Sequence, residues 1–197
     1  MINKNIIFVL EQVSIFMKKS LIGLLAAFII LAPGCERHKV KTSLQKMESE
    51  AIVFPDNLIC IMDGEDVEPI IPPYPSTLVI YADSTECSKC RISNYFKYSD
   101  LMAHGKATRR YSVLFLISPP QSDRDPLLEY IRVLGLEYPI YIDYNNEFMK
   151  LNAHVPENSR FHTFMVDDQG KVLLVGDPVA NSEIMPLFEK LTNDTKN

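Results

Sequence analysis

Two of the four cysteines, Cys87 and Cys90, stand three residues apart in the sequence CSKC. A thiol pair at this spacing can close and open a short disulfide ring, so the chemistry it suits is thiol-disulfide exchange. In such a reaction one thiolate attacks a disulfide of another molecule, and the second thiol then displaces the partner. Cys35 and Cys60 stand alone, and four cysteines are too few for a disulfide-stabilised scaffold.

The elements around this pair decide how reactive each thiol is. The continuous apolar run from Thr77 to Tyr81 is typical of a strand buried on both faces of a parallel sheet. After the pair, apolar side chains recur at helical spacing until Gly105, where the pattern predicts the end of the helix. Because Cys87 precedes the helix, its first-turn N–H groups and dipole should lower the pKa of that thiol. We therefore expect Cys87 to be the more exposed and more acidic thiol of the two.

Strand and helix patterns continue to alternate along the chain. They predict a mostly parallel central sheet with an antiparallel C-terminal hairpin, flanked by helices, which is an α/β fold. The predicted elements after the first helix are strand 111–117, helix 125–134, strand 139–142, hairpin strands 161–166 and 171–175, and helix 183–191.

The segment from about Thr77 to Leu191 resembles the thioredoxin fold, and in particular the thioredoxin-like lipoproteins that some Gram-negative bacteria export. The residues that carry the resemblance are LVIYADSTECSKC and FHTFMVDDQGKVLLVG. It implies that Cys87 is the nucleophile and Cys90 the resolving thiol. It also implies a thiol- or disulfide-bearing protein partner, and no cofactor besides the redox-active cysteine pair.

Three positions depart from the pattern of that family. Glu86 replaces the tryptophan that usually precedes the first cysteine, and its charge should oppose thiolate formation. Tyr81 stands where the family has a buried acid, and His162 stands where it has a cis-proline. Lys89 acts in the opposite direction to Glu86, since a cation stabilises a nearby thiolate. We expect His162 to lie near the pair and, with Lys89 and Glu86, to modulate it.

The N-terminal sequence predicts export. Lysines after Met17 precede an uncharged run over residues 21–33, which is the layout of a signal peptide over residues 1–34, with Met17 as the possible true start. Gly34-Cys35 resembles the end of a lipobox, although Ala32 stands where leucine is usual. Cys35 would then carry the lipid that attaches the protein to a membrane. An uncleaved anchor helix over residues 5–33 is the alternative.

We expect the rest of the chain to divide into three parts. Residues 35–50 would be a lipidated cysteine and polar tether, residues 51–76 an N-terminal strand extension, and residues 77–193 the thioredoxin-like domain that the resemblance implies. We expect the domain to lie in the cell envelope, facing the periplasm or exposed at the surface. Cys60, within an apolar run, is expected to be a buried small side chain.

The net charge excludes one class of partner, and the CxxC motif leaves two alternatives to thiol-disulfide exchange. The formal net charge is −5 and no block of basic residues is present, which argues against nucleic acid as a partner. Sulfur and imidazole ligands from Cys87, Cys90 and His162 would suit Cu(I) or Zn(II), so a metal site is one alternative to exchange. A binding module in which the CxxC is a structural disulfide is another, because fold alone does not imply catalysis.

Overall fold

A computed structural model describes residues 38–194, and the predicted signal peptide, Met17 and Cys35 lie outside that range. The strands are β1 Ile59–Met62, β2 Glu65–Val67, β3 Ser76–Ala82, β4 Ser112–Ile117, β5 Ile140–Ile142, β6 Thr163–Asp167 and β7 Val172–Val175. The helices are α1 at residues 38–47, α2 Ser88–Ser93, α3 Ser99–Thr108, α4 Arg124–Leu134, α5 Phe148–Leu151 and α6 Met185–Asp194. Short 3-10 turns are Tyr95–Tyr98, Gln121–Asp123 and Ser159–Phe161.

The seven strands form one sheet in the order β2-β1-β5-β4-β3-β6-β7. The three central strands β5, β4 and β3 are parallel, with Val79 opposite Leu114 in the register of β3 and β4. The β6–β7 hairpin joins the edge of β3 in antiparallel sense, with Val79 opposite Phe164. This arrangement is the thioredoxin-like α/β fold, and the fold predicted from the sequence is confirmed.

Helices α2 to α5 pack on both faces of the sheet because successive side chains of the central strands, which point to opposite faces, are apolar. Ile80, Phe115 and Ile140 belong to a buried cluster that includes residues of α2, α3 and α4. On the opposite face, Phe148 of α5 packs against the rings of Tyr81 and Phe54, with centroid distances of 4.7 and 6.2 Å. Each fully buried apolar side chain of this kind contributes about 1.5–3 kcal/mol relative to exposure.

The N-terminal extension differs in part from the prediction. Ile59–Met62 is a strand, and the polar segment Glu65–Val67 pairs with it as an antiparallel hairpin that no apolar pattern announces. Ile52 is not in a strand, and its N–H donates to the carbonyl of Gly170 at 2.8 Å. The segment is therefore fastened to the domain by its contacts with the β6–β7 turn.

Gly105 does not end the helix after the cysteine pair, since α3 continues to Thr108 and ends at Arg109 in a left-handed conformation. A side chain at Gly105 would place its Cβ 2.6 Å from the carbonyl oxygen of Tyr111. Glycine is therefore used here for close packing within the helix rather than for stopping it. No helix among residues 38–194 combines the length and apolar composition that crossing a membrane requires.

Candidate active site

The cysteine pair lies beyond the carboxyl end of β3, where a tight turn leads into α2. The Asp83 carboxylate accepts the N–H of Thr85 at 2.7 Å, and the N–H of Glu86 donates to the Asp83 carbonyl at 3.1 Å. This turn delivers Cys87 to the N-cap of α2, so that Cys90 falls in the first turn of the helix.

Cys87 and Cys90 form a disulfide, and both side chains are exposed. The backbone N–H of Cys90 donates to Cys87 Sγ at 3.2 Å. Exposure therefore does not show which of the two thiols is the more acidic. The N-cap position favours a lower pKa for Cys87, because an N–H directed at its sulfur would also stabilise a thiolate there.

Glu86, directly before Cys87, has two cationic partners. Its Oε2 lies 3.0 Å from Arg91 Nη2 and accepts the Nε–H of Arg91 at 3.1 Å, while its Oε1 lies 3.0 Å from Nδ1 of His162. The Glu86 side chain is 18% exposed, and that of His162 is completely buried. Glu86 thus joins the start of α2 to the loop before β6.

The environment of Glu86 favours its ionised form. Desolvation by burial acts to raise the pKa of this carboxyl group, but the His162 hydrogen bond and the charges of Arg91 and His162 outweigh it. The net effect is a pKa below the ordinary value of 4.5. The predicted repulsion between Glu86 and a Cys87 thiolate is therefore opposed by two positive groups bound to the same carboxylate.

The hydrogen bonds of His162 define its protonation. Its Nε2 lies 2.9 Å from the carbonyl oxygen of Pro156, and because a carbonyl only accepts, Nε2 must donate. Its Nδ1 faces the Glu86 carboxylate at 3.0 Å, so Nδ1 also donates while Glu86 is ionised. The ring then carries both protons and forms a buried, charge-assisted contact.

The loop that carries His162 is held in a fixed place. The carbonyl of His162 accepts the N–H of Tyr81 at 2.8 Å, and its own N–H donates to the carbonyl of Ser159 at 3.0 Å. All peptide bonds of residues 38–194 are trans, including the bond before His162. The histidine therefore replaces the family's cis-proline without a cis bond.

A polar pair lies close to Tyr81. The Ser118 hydroxyl donates to the Asp143 carboxylate at 2.9 Å, and the N–H of Ser118 donates to the carbonyl of Ala82, the residue after Tyr81, at 2.8 Å. Desolvation raises the pKa of Tyr81, with the charges of Asp83, Asp143 and Glu86 adding to the effect. The tyrosine is therefore a neutral group, and its ring contacts that of His162 at a centroid distance of 5.1 Å.

Sequence reasoning predicted some of these residues and missed others. The Lys89 ammonium lies 5.6 Å from the centre of the Tyr130 ring, so this predicted modulator is in contact with an aromatic face. Arg91 and the Ser118–Asp143 pair were not anticipated. The opposite charges of Glu86 and Arg91 across the helix start were the available signal for Arg91.

Cys60 is buried as predicted, and desolvation raises the pKa of its thiol to about 11.

The structure does not bring Cys87, Cys90 and His162 together as a metal site. Within residues 38–194, the potential ligands whose atoms lie within 4.8 Å of one another are Asp83, Glu86 and His162. Both nitrogens of His162 already have hydrogen-bond partners, which leaves no lone pair for a metal. The predicted ligand set is therefore not assembled.

Comparison with known proteins finds likeness at the level of fold. An uncharacterised thioredoxin-like protein from Porphyromonas gingivalis matches 73% of this chain and 94% of its own, at 14% identity and a TM-score of 0.46. The exposed lipoprotein thioredoxin of Streptococcus pneumoniae strain TIGR4 matches 68% of this chain and 99% of its own, at 14% identity and a TM-score of 0.42. No protein-family model and no curated protein matches the sequence.

The chain is a protein of thioredoxin-like fold with a CxxC pair at the start of the helix that follows its central strand.

The first prediction concerns the charge on Glu86. Because folding lowers the pKa of the Glu86 carboxyl group, this group stabilises the folded protein at pH values above its unfolded-state pKa. That contribution is lost as the pH falls through its folded-state pKa. We expect Glu86→Gln to lower the free energy of unfolding by about 1.5–3 kcal/mol at pH 7, the scale of a hydrogen bond to a charged group. At pH 3 the loss should be smaller, and urea denaturation at both values measures it.

Glu129→Gln is the matched control, because Glu129 pairs with Arg132 at 3.0 Å while its side chain is 73% exposed. An exposed ion pair of this kind contributes little to stability, so the free energy of unfolding of this variant should stay close to that of wild type at both pH values. An equal loss for Glu86→Gln at pH 7 and pH 3 would contradict the assigned ionisation.

Proposed function

We propose that this protein is a membrane-anchored thiol-disulfide oxidoreductase. The observation that carries the proposal is the exposed Cys87–Cys90 disulfide at the N-terminus of α2, with a backbone N–H directed at Cys87 Sγ. The pair is its own redox centre, and its partner is a protein that carries a thiol or a disulfide.

The reduced form would act in two steps. The Cys87 thiolate attacks one sulfur of a partner disulfide, so a mixed disulfide forms and the other partner sulfur leaves as a thiolate. The Cys90 thiolate then attacks Cys87 Sγ and displaces the second partner sulfur. Two electrons pass to the partner, its two thiolates take up protons, and the Cys87–Cys90 disulfide is formed. The reverse sequence would oxidise a partner dithiol.

The surroundings of Cys87 support control of its thiolate. Arg91 and the doubly protonated His162 both bind the carboxylate of the adjacent Glu86. We propose that His162, Lys89 and Glu86 set the reactivity of the pair, with His162 cancelling the charge of Glu86. Stabilising the thiolate favours the reduced form and makes the disulfide form a stronger oxidant. The positive charges of His162 and Lys89 would therefore raise the reduction potential, against the opposing charge of Glu86.

Anchoring is proposed from the sequence alone. The basic, apolar and Gly34-Cys35 segments together match an exported lipoprotein, which would hold the domain in the cell envelope, facing the periplasm or the exterior.

Substitution of each cysteine tests the exchange mechanism. Cys87→Ser should abolish reduction of a protein disulfide such as those of insulin, because the attacking sulfur is lost. Cys90→Ser should instead accumulate a mixed disulfide through Cys87, visible by non-reducing electrophoresis and mass spectrometry. Cys60→Ala is the matched control and should retain exchange, since Cys60 is buried. If Cys87→Ser instead accumulated a mixed disulfide through Cys90, Cys90 would be the attacking thiol and Cys87 the resolving one. If both variants turned over like wild type, the Cys87–Cys90 disulfide would have only a structural role.

Substitution of His162 tests the proposed tuning. His162→Ala should raise the pKa of Cys87, lower the reduction potential of the pair, and slow alkylation at pH 7 by about two- to fivefold, the effect of losing one partly screened charge. Alkylation rates against pH and equilibration with glutathione measure these changes. His104→Ala is the control, because His104 lies on α3 and bonds to Tyr111.

The double variant Glu86→Gln, His162→Ala shows whether His162 acts through Glu86. If it does, removing Glu86 as well should restore most of the lost thiolate stabilisation. An unchanged alkylation profile in His162→Ala would make the histidine a purely structural residue. His162→Pro should disturb the loop, because it removes both ring contacts and the N–H that bonds to Ser159.

Substitution of Cys35 tests the anchor. Cys35→Ser should move the protein from the membrane fraction to the released fraction when cells are fractionated, because the lipid acceptor is lost. Cys60→Ala should stay with the membranes. Membrane retention of Cys35→Ser would overturn the lipoprotein assignment and favour an uncleaved N-terminal anchor.

A further inference from the structure

A cavity of about 480 Å³ lies at the end of the sheet opposite the cysteine pair. Cys87 follows the carboxyl end of β3, whereas the cavity is lined by Ser112 and Tyr141, from the beginning of β4 and from β5, which run parallel to β3. The cavity is therefore separate from the site described above. Its volume is within the range of small-molecule binding sites in proteins.

Four tyrosines contribute to the walls of this cavity. Tyr74, Tyr111, Tyr138 and Tyr141 all line it; Tyr111 and Tyr141 are almost completely buried, whereas Tyr74 and Tyr138 are partly exposed. Partly exposed aromatic rings favour a planar ring as the occupant, through offset or edge-to-face contacts. Met102 adds an adaptable thioether to the same wall.

One wall is a proline-rich segment, residues 68–75, which connects β2 to β3. Its four prolines have no N–H to donate to neighbouring strands. The Tyr141 hydroxyl donates to the carbonyl of Ile70 at 2.7 Å and ties this segment to β5. Ile70 is 60% exposed, so the segment covers the cavity without being packed into the core.

The charged residues of the lining do not favour an ionic ligand. Glu68 and Glu137 oppose Lys106, and all three are exposed. The Lys106 ammonium lies 5.5 Å from the centre of the Tyr138 ring. A charged ligand would meet a repulsive partner at this rim and would lose its hydration inside an apolar cavity.

We propose that this cavity binds a neutral small molecule with a planar aromatic ring. The ring would lie against Tyr74 and Tyr138, and the proline-rich segment would cover it. The proposal is independent of the exchange reaction, because no residue of the cysteine site lines the cavity.

Fluorescence titration with N-phenyl-1-naphthylamine, a neutral planar probe, tests the proposal on the oxidised full-length chain. We expect saturable binding at one site. Val113→Trp and Val67→Trp fill the cavity from two different strands, and each should weaken binding at least tenfold. Val133→Trp is the matched control, since Val133 is 84% exposed on α4, and it should bind as wild type does.

Two further measurements separate the outcomes. The proline-rich segment lines the cavity, so the bound probe should slow hydrogen–deuterium exchange of residues 68–75, which peptide mass spectrometry measures. This measurement uses the wild-type chain and holds even where a tryptophan variant fails to fold. The anionic 2-naphthoate and the cationic naphthylmethylammonium should bind at least tenfold more weakly than neutral 2-naphthol.

Three results would overturn the proposal. They are the absence of saturable binding to the folded chain, equal weakening by Val133→Trp and Val113→Trp, and unchanged hydrogen exchange of residues 68–75 at saturating probe. Tighter binding of either charged naphthalene than of 2-naphthol would overturn the assignment of a neutral ligand.

Discussion

Strand β3 is buried along its whole length between a parallel neighbour and an antiparallel one, and the position of the site depends on this. Neither ladder allows the carboxyl end of β3 to shift without breaking hydrogen bonds on both sides. The chain leaves the strand at Ala82 and reaches Cys87 through a turn held by Asp83. The opposite ladder places His162 beside the same end, since its carbonyl accepts the N–H of Tyr81. Burial of an apolar strand thus fixes the polar groups beyond it.

Those polar groups share one electrostatic requirement. Glu86 is mostly buried, and the exchange proposed for Cys87 requires a thiolate directly beside it, so the negative charge of Glu86 would be unfavourable on both grounds without partners. Arg91 and His162 supply these partners, and the Pro156 carbonyl holds the second ring N–H of His162. The same contacts that hold the loop before β6 therefore offset the negative charge next to Cys87.

The sequence was sufficient for the fold because apolar periodicity reports burial directly. The run from Thr77 to Tyr81 and the helical spacing after Cys90 place the pair on the correct elements. Polar partners follow no such period, so the Arg91 contact and the Ser118–Asp143 pair appear only in three dimensions. Strand β2 was missed for a related reason, since its residues are stabilised by pairing rather than by an apolar pattern.

We propose that Cys87 and Cys90 form one reversible redox pair, and the reduction potential of this pair is the most direct test. The full-length chain would be equilibrated over a series of dithiothreitol or glutathione ratios, alkylated, and mapped by mass spectrometry. We expect a single reversible transition in which both cysteines are oxidised together, with the two-electron slope of about 30 mV per tenfold change in the ratio of oxidised to reduced protein. A pair that stays disulfide-bonded at every poise, or two cysteines that react independently, would contradict it.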